Sequence, residues 1–118
     1  MAITKTARTL LASQTLAANA TVTSAELNLS ATAGAEIFVK ITNGASAPST
    51  LPVVVFYSGE ATGVKRKIFT ASGDMVNSSV NDLSCTYGLR HMFANVTITN
   101  GATNIVTVEV YAQEATTV

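Results

Sequence analysis

Ala94-Asn95-Val96-Thr97-Ile98-Thr99, then Asn100-Gly101-Ala102-Thr103, then Asn104-Ile105-Val106-Thr107-Val108-Glu109-Val110-Tyr111-Ala112 is the stretch whose reading decides the fold class. Val96 and Ile98 alternate with Asn95, Thr97 and Thr99, and Val106, Val108 and Val110 alternate with Thr107, Glu109 and Tyr111. A period of two places one side-chain set on each face of a pleated strand, so each run has one apolar face. The Asn-Gly between them is expected to supply the positive φ that the turn requires, and the stretch is predicted to form a β-hairpin. A slip of one residue would turn every valine to solvent, which fixes the expected register.

The same alternation extends outward. Ala35 to Thr42 carries Ile37, Val39 and Ile41 on one face and stops at Asn43-Gly44. After the small-residue loop Ala45 to Thr50, the run Pro52 to Tyr57 is nearly continuous in apolar residues, as expected of a strand covered on both faces. Gly59 and Gly63 bracket a turn, and Val64 to Thr70 resumes extended structure up to Ser72-Gly73-Asp74, which predicts a second hairpin. Val76 to Val80 and Cys85 to Tyr87 are weaker strand candidates, and a strand after Gly88 is expected to begin as early as Arg90. Thr9, Ser13, Thr15, Asn19, Thr21 and Thr23 lower the helix propensity of the Ala- and Leu-containing segment near the N-terminus. That segment reads as strand (Thr9 to Leu16), turn (Ala18 to Ala20) and strand (Thr21 to Thr23). The sum is an all-β fold, an antiparallel, jelly-roll-like β-sandwich of about seven or eight strands. Residues 1–8 read as an N-terminal arm and residues 9–118 as one sandwich domain. Ile-Thr-Asn-Gly-Ala occurs twice, at 41–45 and 98–102, and is read as two similar turns rather than a duplicated unit.

Composition narrows function by exclusion. The 118 residues suit one domain, 47% of them are apolar and 12% charged, and seven basic side chains balance seven acidic ones. A net charge of zero provides no field to hold nucleic acid or an anionic membrane, and no apolar stretch approaches the ~20 residues of a spanning helix. Lys5 and Arg8 precede Leu10 and Leu11, but Ser13, Gln14 and Thr15 break the run before a signal-peptide core forms. The four Asn-X-Ser/Thr sequences, at Asn19, Asn28, Asn77 and Asn95, are expected to be chance matches in a chain rich in these residues.

Candidate chemistry is sparse. His91 is the only histidine, so a triad would have to recruit it with Asp74 or Asp82, and no Gly-X-Ser-X-Gly elbow surrounds any serine. Asp74, Asp82, Glu60 and Glu109 lack calcium-loop spacing, and neither a metal nor another cofactor is expected. Cys85, the only cysteine, is read as a buried, inert thiol rather than a nucleophile, because no neighbouring cation or helix terminus is placed to lower its pKa. No enzymatic activity is expected. Lys65-Arg66-Lys67 is the one charge cluster, read either as an edge-strand guard against mispairing or as a contact for an acidic patch on a partner. Lys5, Arg8, Lys65, Arg66 and Lys67 are accordingly the expected partner-binding residues. Tyr57, Tyr87 and Tyr111 are the aromatics a sugar-binding face would use.

Thr9 to Thr23, Val39 to Ala45 and Val106 to Glu114 resemble small virion-associated β-sandwich proteins of tailed bacteriophages, and the resemblance runs across nearly the full length. It implies a structural role and carries no catalytic residues. Lys65-Arg66-Lys67 departs from that group's motifs, so the docking face does not come with the resemblance. The implied function is a capsid decoration or cement protein, made in the host cytoplasm, that binds between major capsid subunits on the virion surface as a homo-oligomer. The alternatives are a tail, adaptor or fibre-associated virion protein and a carbohydrate-binding β-sandwich module. Its partners would be the major capsid protein or other virion proteins, with no nucleic acid and no membrane. An arm at residues 1–8 would order on the partner, and its removal would leave the melting temperature nearly unchanged.

Overall fold

A computed structural model describes residues 3–88 and 91–117. They form nine strands: β1 (Ile3–Leu16), β2 (Thr21–Thr23), β3 (Leu27–Asn28), β4 (Gly34–Asn43), β5 (Val53–Gly59), β6 (Arg66–Ser72), β7 (Val80–Tyr87), β8 (Phe93–Thr99) and β9 (Val106–Thr117). The expected all-β antiparallel sandwich is present. One sheet has the order β1-β9-β4-β7 and the other β2-β8-β5-β6, with β3 also on β8. β2 and β3 act as one interrupted strand, because Ser24 stands between them and both donates its N–H to Val96 and accepts the Val96 N–H on its hydroxyl, at 2.8 and 3.0 Å. Counted so, the chain is eight strands nested as a folded-over hairpin, first with last, second with seventh, third with sixth, fourth with fifth. That nesting is the jelly roll.

The decisive C-terminal stretch is not a hairpin. β8 lies in one sheet and β9 in the other, where β9 pairs with β1 and β4. Alternation establishes that each strand has one inward face, and two such strands satisfy it equally well side by side or facing each other across the core. Residues 100–105 are long enough to cross the ~10 Å between layers. The Asn-Gly also serves another purpose than positive φ, which falls instead on Thr103 at 85°. A Cβ on Gly101 would lie 1.9 Å from the Thr50 carbonyl oxygen, so the glycine permits close approach of two loops.

The other expected strands hold with adjustments. β5 and β6 form the second hairpin. β5 is buried on one face only, since Val54, Phe56 and Ser58 point inward while Val53, Val55 and Tyr57 are half-buried beside their neighbours on β8 and β6. The two weak candidates resolve into the single strand β7, and Val76 lies in the loop before it. β8 begins at Phe93, and Arg90, the earliest expected start, lies outside the described residues. Of residues 1–8, read as an arm, 1 and 2 lie outside the described residues, and 3–8 continue β1 without a break and pair with β9 from Arg8↔Ala112 to Ile3↔Thr117. They lack apolar alternation because this stretch is almost entirely solvent-exposed, so the ladder rather than the core orders them.

The core lies between the sheets. Ile37, Val39 and Ile41 of β4, Val106, Val108 and Val110 of β9, Val54 and Phe56 of β5, and Val96 and Ile98 of β8 are almost completely buried. Each contributes about 1.5–3 kcal/mol relative to exposure. Tyr87 of β7 pins the sheets together, its ring buried and its hydroxyl donating to the Tyr57 carbonyl at 2.9 Å.

Candidate functional site

The register divides the sandwich into two ends. The loops at 17–20, 44–52, 73–79 and 100–105 share one end, because β1, β4, β6 and β8 finish there and β2, β5, β7 and β9 start there. These loops are knitted together. Asn100 donates its Nδ2 to the carbonyls of Leu16, Ala17 and Asn104 at 2.9–3.2 Å, and Asn43 donates its Nδ2 to the Asp74 carboxylate and the Val76 carbonyl, both at 2.9 Å. Asn104 reaches the Ala47 carbonyl, Thr50 accepts the Ala102 N–H, and Asn77 accepts the Ala47 N–H, each at 2.9 Å. The repeated Ile-Thr-Asn-Gly-Ala is thus one device used twice: a central strand ends on a buried asparagine whose amide holds the neighbouring crossover. Asp74 is the one charged residue in these four loops. Its carboxyl is held below the usual range by the Ser79 hydroxyl and the Val76 N–H.

The opposite end carries the charges. Arg8 Nε binds Glu114, which is 4% exposed, at 2.5 Å, and Arg66 makes a two-pronged contact with Glu60. That contact holds the Glu60 carboxyl down to about 2, through the Arg66 hydrogen bond first, and raises the Arg66 guanidinium. Lys65 sits 5.9 Å from the Tyr57 ring centre, just before β6. Lys5 and Lys67 are exposed on β1 and β6. The five expected partner-binding residues therefore share one end but not one patch, since β1 and β6 are the outer strands of different sheets. Arg8 and Arg66 are each engaged by a carboxylate.

His91 stands partly exposed, edge-on to Tyr87, with its Nδ1 2.6 Å from the Ser58 hydroxyl. Asp74 is bound within the knitted end, while Asp82 lies on β7 in register with Lys40, far along the strand from the Tyr87 that packs on His91. Cys85 is half-buried on the inner side of β7, less enclosed than expected of it. Burial and then the Glu36 charge raise its pKa, which suits the unreactive reading. Among the described residues no three His, Cys, Asp or Glu side chains gather as metal ligands, and no helix is long and apolar enough to cross a membrane.

Sequence reasoning missed two features. Glu114 is a carboxylate at an inward position of β9, visible only as a charged residue where the alternation demands an apolar one. The second is an exposed apolar band, Ile68 and Phe69 on β6, Met75 and Val76 in the next loop and Val80 on β7, each 39–60% exposed. β6 and β7 are the terminal strands of their sheets on this side, so their outer backbone is unpaired as well.

No family model matches the chain, and no curated protein matches it. Solved structures share its fold. A chain from "Bacillus endospore appendages form a novel family of disulfide-linked pili" is 18% identical, with a TM-score of 0.58, over 100% of this chain and 93% of that one. The SPBc2 prophage-derived protein YomS is 18% identical, with a TM-score of 0.55, over 98% of this chain and 96% of that one. A chain in the structure of infectious bursal disease virus Gx strain is 10% identical, with a TM-score of 0.64, over 97% of this chain but only 32% of that one. The present chain thus matches about a third of the viral chain.

Proposed function

We propose that this chain is a non-enzymatic structural protein of a virion, a capsid decoration or cement domain that docks between major capsid subunits as a homo-oligomer. The observation that carries the reading is the apolar band on β6, β7 and their joining loop. Here two neighbouring edge strands are unpaired, and β6, the loop after it and the start of β7 expose Ile68, Phe69, Met75, Val76 and Val80 beside them, an arrangement that invites association. The knitted end supports it: a nearly uncharged surface of mostly Ala, Ser, Thr and Asn, with Leu51, Met75, Val76 and Ile105 exposed among them, loses little entropy at its small side chains when buried. Fold likeness to a prophage-derived protein and to a chain of a virus particle is in keeping with assembly, though fold alone does not specify use. Lys5 and Lys67, whose charges face solvent, would meet acidic patches on the shell.

The test is cryo-electron microscopy of virions from the source with this chain fitted to the map. Many symmetric copies on the shell, with the β6–β7 side buried, are expected. A Phe69→Glu, Val76→Lys variant that still melts cooperatively should lose shell binding. Absence from particles, or docking unaffected by that variant, would overturn the proposal.

A second reading is a subunit of a fibre, in a phage tail or a pilus-like polymer. It is favoured by the near end-to-end match, on both sides, with the pilus chain. Density confined to the tail, or filaments formed by the purified chain, would select it.

A further inference from the structure

The outer face of the β1-β9-β4-β7 sheet has a chemistry unlike the rest of the surface. Asp82, Lys40 and Glu109 stand in one row across β7, β4 and β9, since Lys40 pairs in register with both acids. The adjoining row holds Ser84, Phe38, Tyr111 and Thr9. Phe38 and Tyr111 stack at 5.0 Å with their planes 14° apart, and the Tyr111 residue remains 40% exposed. Across from Glu109, β1 departs from regular pairing twice, between Thr9 and Leu11 and between Leu11 and Gln14. Such bulges bend an edge strand and re-aim its side chains. Here Leu11, Ala12 and Ser13 form one wall of a trough of about 640 Å³ that also takes in Lys40, Asp82, Glu109 and Tyr111, with Val80 of the apolar band at its β7 side.

The polar groups of the trough are uncommitted. Among the described residues the ion pairs are Arg8–Glu114 and Arg66–Glu60, so Lys40 closes no contact with either acid beside it. At the knitted end, by contrast, the Asn43 and Asn100 Nδ2 groups are engaged by loop acceptors, although the Oδ1 atoms of both are buried without a partner. We propose that this trough binds a neutral oligosaccharide, with the Tyr111 ring, backed by Phe38, against the C–H face of one sugar and Glu109, Asp82 and Lys40 bonding its hydroxyls. A sugar ring offers an apolar face together with closely spaced groups that both donate and accept, which is what this floor can satisfy. Two carboxylates to one ammonium disfavour anionic sugars. The trough crosses the strands instead of following a free edge, so a peptide gains no ladder hydrogen bonds there. Three strand spacings make it about 14 Å long, more than one ring requires.

The site goes beyond the structural role proposed above and does not depend on it, because the purified chain alone can be tested. The full chain is applied to an array of neutral and acidic oligosaccharides, and each neutral sugar retained is titrated into ¹⁵N-labelled protein. Amide shifts centred on Lys40, Glu109 and Tyr111 are expected, with saturable binding. Tyr111→Ala should weaken it about tenfold, the scale of one lost aromatic contact. Glu109→Gln should weaken it too without moving the melting temperature, and serves if Tyr111→Ala does not fold. Met75→Ser, outside the trough, should bind as the parent does. Retention of acidic sugars only, retention of none, shifts centred elsewhere, or binding that survives both trough variants would overturn the proposal.

Discussion

The two ends of the sandwich hold their loops by different means. At the knitted end, neutral amides and hydroxyls bridge four loops, and the central bonds are buried: Asn43 and Asn100 are 2% and 3% exposed. At the opposite end the contacts are ionic and mostly at the surface, as with Arg66 and Glu60, whose side chains are 68% and 57% exposed. Burial decides what each is worth. Removing a buried amide donor leaves desolvated carbonyls without a partner, whereas breaking an exposed ion pair exchanges its contacts for water. The uncharged end is therefore expected to be the stabilising one, although the other has the shorter, more conspicuous contacts.

The largest effect should come from Asn100→Ala, which strips the carbonyls of Leu16, Ala17 and Asn104 of their donor. A loss of about 2–4 kcal/mol in urea unfolding is expected, less than three fully buried groups at roughly 1–3 kcal/mol each would cost, because only the Leu16 bond is fully buried and the substitution also removes the Asn100 Oδ1, which is buried without a partner. Asn43→Ala should cost somewhat less, because the freed Asp74 carboxylate can turn to water. If both variants unfold at the parental midpoint, the network is ornamental and the comparison fails.

Next come the glycines. Gly101→Ala places a methyl 1.9 Å from the Thr50 carbonyl oxygen, a backbone atom that moves only with its loop, and should cost about 1–3 kcal/mol. Gly88→Ala, at the opposite end, meets nothing within 4 Å and should stay within about 0.5 kcal/mol. Equal melting temperatures for the two would show that the loops at 44–52 and 100–105 are not held together.

Arg8 and Glu114 test the boundary case, an ion pair with one buried partner. Arg8→Met should destabilise by about 1–3 kcal/mol, because it leaves the Glu114 carboxyl, 4% exposed, without its partner. The double variant Arg8→Met, Glu114→Gln should recover much of that loss. A double variant as costly as the sum of the singles would mean the two side chains act independently.

How much of this was legible beforehand follows the same division. Periodicity reports a strand's inward face, so Ile37, Val39, Ile41 and the valines of β9 could be placed in the core from their spacing. It carries no information on which strand lies alongside, so the alternation of β8 and β9 suits a hairpin although the two belong to different sheets. The Asn-Gly at 100–101 was read for backbone conformation alone, and its buried amide and its close approach to Thr50 depend on loops 50 and 80 residues away in sequence. The basic residues were visible, but the partners of Arg8 and Arg66 were not. Neither was the trough, which exists because register aligns Asp82, Lys40 and Glu109 from three strands.

The smallest stability effect is expected where the pKa shift is largest among the acids. Arg66 holds the Glu60 carboxyl at about 2, well below an ordinary glutamate, so in principle the pair stabilises the fold above the unfolded glutamate's pKa and loses that as pH falls through about 2. Both side chains are more than half exposed, however, and water screens most of that interaction. Arg66→Gln should therefore let Glu60 titrate back toward the ordinary glutamate range by NMR while leaving the melting temperature at neutral pH unchanged. A clear drop in melting temperature would show that this end is braced by its ions after all. It would also reverse the ranking of the two ends, because an exposed pair would then outweigh what burial gives to Asn43 and Asn100.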